Sequence, residues 1–314
     1  MYETLTLQST EVRFWARLDC IVVSNMTRQY FVLTMGVLSV SSAAIFIRLA
    51  EAPPLVIAAY RLFLASLIIV PVAWARSGDE LRHLSRQNII MALLSGVFLA
   101  LHFGLWITSL SYTSVATSVV LVTASPIFVA IASYFLFQEK LSKQTVLGIV
   151  VSIIGSVLIG YGNWSLGPSP LFGSILALLG ALAVVGYLLI GRRLRRSIGL
   201  LSYVSLAYSS AAVLLLLSTL AFGYSLVGYS TTTYVMFVLL AVVPQVIGHS
   251  SLNWSLRFVS ATLVTIAVLG EPVVATALAF LILNEAPTLS EIGGGILILV
   301  GIFVAFRKSE MLRG

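Results

Sequence analysis

The chain has 314 residues, 59% of them hydrophobic and 9% charged, with a mean hydropathy of +1.06. Soluble domains carry roughly 25% charged residues, so water could not solvate this surface. Disordered, collagen-like and disulfide-rich secreted chains are excluded on the same numbers. A single cysteine, Cys20, permits no internal disulfide and no thiolate metal cluster. The composition describes a polytopic membrane protein of about ten helices, at about 20 residues per crossing. That leaves no room for a soluble domain.

Residues 1–29 read as a cytoplasmic N-terminal segment, with a short interfacial helix as one reading of it. Arg13, Arg17 and Arg28 interrupt its apolar residues, and no single apolar core leads to a signal-peptide cleavage site. Met26 is an alternative start. Apolar runs then predict spans over 30–50, 54–75, 89–110, 114–137, 144–162, 171–191, 200–223, 233–256, 260–284 and 289–306. Runs of this length read as helices because a spanning segment must satisfy its own backbone hydrogen bonds. A β-barrel would show shorter, alternating segments.

With the N-terminus inside, sixteen of the 18 Lys and Arg fall in inner segments. The remaining two, Arg48 and Arg61, lie within predicted spans. The positive-inside rule therefore places both termini, including the 307–314 tail, in the cytoplasm and the protein in the cell membrane. The net charge of +7 is a topology signal, and no nucleic-acid site is expected.

Shifting the chain by 146 residues lays the fourth and fifth spans over the ninth and tenth. Leu110 then meets Leu256, Ser114 meets Ser260, Pro126 meets Pro272, Glu139 meets Glu285, Gly148 meets Gly294 and Gly155 meets Gly301. Each half, 30–162 and 171–306, holds five predicted spans. An odd number makes the two copies insert in opposite senses, as in secondary transporters whose substrate site lies at the repeat interface. The predicted fold is therefore all-α, with ten transmembrane helices as two inverted five-helix repeats.

Pro54–Arg61 (PLVIAAYR), Ser111–Gly148, the second copy Ser260–Gly294 with Glu271-Pro272 and Glu285, and Gly191–Arg196 (GRRLRR) resemble the ten-helix EamA members of the drug/metabolite transporter superfamily. The resemblance spans about residues 30–306. It implies a carrier of small organic metabolites, often an exporter of amino acids or related compounds.

Arg61 falls about seven residues into the second span, roughly 10 Å from its outer end at 1.5 Å per residue. It reads as a ligand for a substrate carboxylate, as half of a structural ion pair, or as a snorkelled anchor. Glu271 sits near midplane before Pro272, which opens the helix there. It reads as a static partner of Arg61, an ammonium ligand or a proton carrier. Its repeat mate is Ser125. Gln245, His249 and Asn253 share one helix face at i, i+4 and i+8, and His102 and Trp106 lie four apart on the third span. These residues are the expected cavity lining, with Trp106 and Tyr60 stacking the substrate. The competing reading is plain interhelical hydrogen bonding.

Glu139 and Glu285 read as interfacial caps or contacts between repeats. Arg192–Arg196 reads as an anchor near anionic lipid. Gly148, Ser152 and Ser156, and Gly294 with Gly301, let helices approach closely, either within the chain or as a homodimer face. H-E-x-x-H, Walker A and Cys/His patterns are absent from the sequence, so no cofactor or metal and no enzymatic activity are expected. The partners are a small-molecule substrate and the lipid bilayer. An intramembrane enzyme, a channel and a non-transporting scaffold are the competing readings.

Overall fold

The computed structural model describes residues 27–161, 166–283 and 286–306. The expectations for Arg13, Arg17, Cys20, Met26, Glu285 and the 307–314 tail lie outside the described residues. Ten helices long and apolar enough to cross a membrane are present: α1 Thr27–Leu49, α2 Pro54–Arg82, α3 Arg86–Ser109, α4 Val115–Phe137, α5 Lys143–Tyr161, α6 Pro170–Leu194, α7 Leu200–Ala221, α8 Thr231–Ser255, α9 Ala261–Ile282 and α10 Leu289–Phe306. The described chain contains no strand. It is a multi-pass, all-α membrane protein.

Helix ends follow local chemistry. Ser85, Ser114, Ser230 and Ser260 each accept a backbone N–H three residues on, capping α3, α4, α8 and α9. The matching caps at Ser114 and Ser260 carry matching breaks. In α4, Val115–Val122 gives way to Ser125–Phe137. In α9, Ala261–Val268 gives way to Glu271–Leu283, at the same offset of 146 residues. Pro126 and Pro272 each sit second in the new segment, where a missing backbone N–H costs least. Ser260→Ala should lower thermal stability in detergent by about 0.5–2 kcal/mol, read as a shift in the melting curve; an unshifted curve would deny the cap its role.

Three departures from the predicted spans have physical causes. The helix α2 continues to Arg82 instead of ending near 75, with non-helical backbone at Ser77. Its end is held because Glu80 Oε1 accepts from Gly199 N at 2.7 Å and its other oxygen from Ser202 Oγ, a carboxylate placed at the start of α7 where the helix dipole favours it. The helix α6 runs three residues past 191, because its last arginines donate to carbonyls of α8. Within α8, Ala241–His249 is π-helical around Pro244, so spacings of four residues no longer mark one face there.

The helices α5 and α10 form the most intimate pair and run antiparallel. A Cβ on Gly148 would lie 2.5 Å from Gly301 O, and one on Gly155 would lie 2.5 Å from Gly294 O. Between them Ser152 Oγ donates to Ile298 O at 3.3 Å. The small-residue faces are thus consumed inside one chain, and a homodimer would have to use another surface. The helix α2 packs on α7, α3 on α6 and α7, and α8 on α1 and α2. This leaves both broken helices, α4 and α9, facing the centre.

Candidate functional site

A central cavity is lined from both halves: Val40 and Ala43 of α1, Arg61 of α2, His102 and Trp106 of α3, Val122, Thr123 and Ser125 of α4, Val184 and Leu188 of α6, His249 and Leu252 of α8, and Val264, Thr265, Val268 and Glu271 of α9. Three pairs of repeat mates line it together: Trp106 with Leu252, Val122 with Val268, and Ser125 with Glu271. The two helix breaks open onto it, so Thr123, Ser125 and Glu271 reach the space from chain that leaves the helical path.

Arg61 is fully buried. Its Nε donates to Gln245 Oε1 at 2.9 Å, and its guanidinium carbon lies 3.9 Å from the centroid of the Phe103 ring. A cation over an aromatic face is worth about 2 kcal/mol or more when desolvated. These contacts hold one edge and one face of the group. Nη1 remains buried with no hydrogen-bond partner. Among the described residues no ion pair within 4.0 Å joins Arg61 to Glu271. An arginine and a glutamate therefore border one small space with no ion pair between them.

The aromatic side of the cavity is equally ordered. His102 Nδ1 lies 2.9 Å from Gly180 O; a carbonyl only accepts, so Nδ1 carries the proton and, in the neutral ring, Nε2 is an acceptor. The His102 ring stacks on Trp106 at 5.9 Å and 15°. Phe103 meets His249 edge-on at 5.2 Å. Trp106 Nε1 is a second buried donor with no partner. The lining thus includes two buried donors without a partner, on Arg61 and Trp106, and one carboxyl group, on Glu271.

Six of the expected lining residues, Arg61, Glu271, His102, Trp106, His249 and Ser125, border the cavity. Three do not. Gln245 stands behind Arg61 and orients it. Asn253 lies below, donating to Tyr187 Oη and to His249 O at 2.8 Å. The π-helical turn separates it from the stripe that regular α spacing predicts. Tyr60 donates to Leu226 O at 2.6 Å, in the connection between α7 and α8, and stacks on Phe237 at 4.4 Å. Sequence reasoning missed Thr123 and Thr265. Thr123 precedes the Ser125-Pro126 break by two residues, which is a usable signal; Thr265 has none, since its hydroxyl returns to Ala261 O like any helical threonine.

Arg192–Arg196 is not simply a lipid-facing anchor. Arg192 and Arg195 are buried while Arg193 and Arg196 are exposed. Arg192 Nη1 donates to Leu256 O at 2.7 Å and Arg195 Nε to Asn253 O at 3.2 Å, satisfying carbonyls at the end of α8. Burial pushes the Arg195 guanidinium down to about 10, with Arg257 adding to the shift, so it stays charged at neutral pH. Glu139 Oε1 lies 3.7 Å from Arg192 Nη2 and 3.9 Å from Arg196 Nη2, a contact between the two halves.

A second cavity, with about 230 Å³ of water-accessible space, lies at the other end of the molecule. Arg48, Val119, Pro272, Thr276 and Glu291 are among its lining residues. Glu271 borders the central cavity and Pro272 this one, so the two spaces adjoin at the break in α9.

The pattern of the EamA-like transporter family matches residues 27–161 and again 171–307. An uncharacterized transporter of Archaeoglobus fulgidus is 26% identical over 297 residues, covering 92% of this chain and 100% of that one. The uncharacterized transporter YdfC of Bacillus subtilis is 26% identical over 195 residues, covering 62% of this chain and 63% of its own. A solved crystal structure with 19% identity superposes with a TM-score of 0.76 over 90% of this chain and 99% of that one, a likeness of fold. Matched in both halves by one family pattern, the chain belongs to the EamA-like transporter family.

Proposed function

We propose that this family member is a secondary carrier that exports small zwitterionic metabolites, amino acids or compounds like them, by alternating access between two inverted five-helix repeats. Its termini would face the cytoplasm, as the distribution of Lys and Arg favours, and the cell membrane would be its location. The observation that carries the reading is the unpartnered Nη1 of Arg61 in a cavity that also holds Glu271.

An unpaired buried guanidinium edge is costly unless a ligand completes it. A carboxylate does so with charge-assisted hydrogen bonds from Arg61 and the nearby Trp106 indole. Glu271 then offers the opposite pole to an ammonium group. The valines, Leu188 and Leu252 of the same lining favour an apolar substituent. Inversion of the repeats is supported by the antiparallel run of α5 against α10, in which Gly148 meets the mate of Gly155 and Gly155 meets the mate of Gly148.

The central space is only about 50 Å³ of water-accessible volume, room for a few waters at roughly 10–15 Å³ each. Substrate entry therefore requires the broken helices to move, which suits a carrier better than a standing pore. Counterflow in proteoliposomes is the test. Vesicles loaded with one amino acid should take up its labelled form transiently and saturably across a screen of amino acids and nucleobases. Unsaturable leak of all solutes would make the protein a channel, and no flux with any loaded solute would leave a scaffold.

A further inference from the structure

The two ends of the central cavity differ. At the arginine-rich end, three cavity helices are drawn together. Gln138 adopts a left-handed conformation, φ 55°, which ends α4 and turns Glu139 toward α6, 3.7 Å from Arg192 and 3.9 Å from Arg196. Arg192 and Arg195 in turn bind the last carbonyls of α8. The same three helices line the central space through Ser125, Leu188 and His249, so this knot floors the site. At the opposite end the second cavity separates Val119 of α4 from Pro272 and Thr276 of α9, and Glu271–Leu283 is thinly packed.

We infer that Glu139 with Arg192 and Arg196 is the latch of the arginine-rich gate, closed here in a conformation that faces the other side. The inference rests on the carrier reading and adds to it which contact must part. Arg192 is 1% exposed while Arg196 is 52% exposed. Arg192 therefore stays with α8 through Leu256 O, and Glu139, carried on α4, is the member that leaves. When it leaves, α4 swings from α6 and opens a path to Ser125 from this end. The Glu139–Arg196 half of the contact is partly exposed and so a weak tie, and at 3.7 Å the Glu139–Arg192 half is not closed into a hydrogen bond, which suits a contact that must break in every cycle.

The test uses the full chain with Cys20→Ser and one reporter, Leu188→Cys, reconstituted in vesicles and labelled by a membrane-impermeant maleimide added to either face. Glu139→Gln and, separately, Arg196→Gln should each raise the labelling rate from the arginine-rich face about three-fold and lower it from the opposite face. Arg196 is half exposed, so its variant leaves folding intact. Rates unchanged in both variants overturn the latch. Rates raised equally from both faces overturn it too, because loosening of the whole protein does that and a shift between two states does not. A reciprocal shift in a protein that shows no counterflow would keep the latch while removing the carrier reading.

Discussion

Arg61→Gln should weaken counterflow of a carboxylate-bearing substrate by roughly 30- to 1,000-fold in half-saturating concentration, the equivalent of about 2–4 kcal/mol for removing one partner of a buried charge pair. The guanidinium is fully buried, tied at Nε and stacked on Phe103, with Nη1 left over. A structural cation would have spent that edge on a protein acceptor. The decisive comparison is a transported amino acid against its decarboxylated amine. If Arg61 binds carboxylate, the amine should be insensitive to Arg61→Gln, while Glu271→Gln should weaken both. Equal losses for acid and amine in Arg61→Gln would make Arg61 a structural post. Arg61→Lys should be intermediate, because an ammonium is a single point charge that cannot serve Gln245 and a carboxylate with separate edges of a rigid fork.

That prediction depends on neighbours which the sequence discloses unevenly. The spans, the breaks at Pro126 and Pro272 and the repeat itself were readable, because apolar windows, proline and a fixed offset act locally and do not depend on what packs where. Arg61 and Glu271 were readable as costly charges, though whether they touch was not. Their separation depends on Gln245, and Gln245 depends on a π-helical turn whose only sign in the sequence is Pro244 inside a span. For the same reason Asn253 dropped from the lining. The arginines of α6 were misread in part because RRLRR at a helix end suits an anionic surface equally well. Only the free carbonyls of Asn253 and Leu256, brought up by tertiary packing, draw Arg192 and Arg195 inward. The overrun of α2 to Arg82 has the same origin, since Glu80 earns its helical place by capping α7.

Gly294→Ala should be among the most damaging single-methyl changes in the protein, while Gly293→Ala, one residue earlier, should be neutral or slightly stabilising. A Cβ on Gly294 would sit 2.4 Å from Gly155 O and 2.8 Å from a side-chain carbon of Ile159, whereas one on Gly293 meets nothing within 4 Å. The backbone oxygen cannot yield without moving α5 away from α10. Overpacking of that kind costs about 1–3 kcal/mol, and the loss of close approach also removes the dispersion contacts on which helix association in lipid depends. At Gly293 the change only replaces glycine by the better helix former, worth up to about 1 kcal/mol. Gly295, whose Cβ would lie 3.6 Å from Val273, should tolerate alanine. Three adjacent glycines of one helix thus have distinct expected melting shifts in detergent, and only the middle one should fall sharply. Equal shifts at all three would mean that α10 does not seat on α5 through this face. In that case the antiparallel crossing, which supports the proposed inversion of the two halves, would lose its footing.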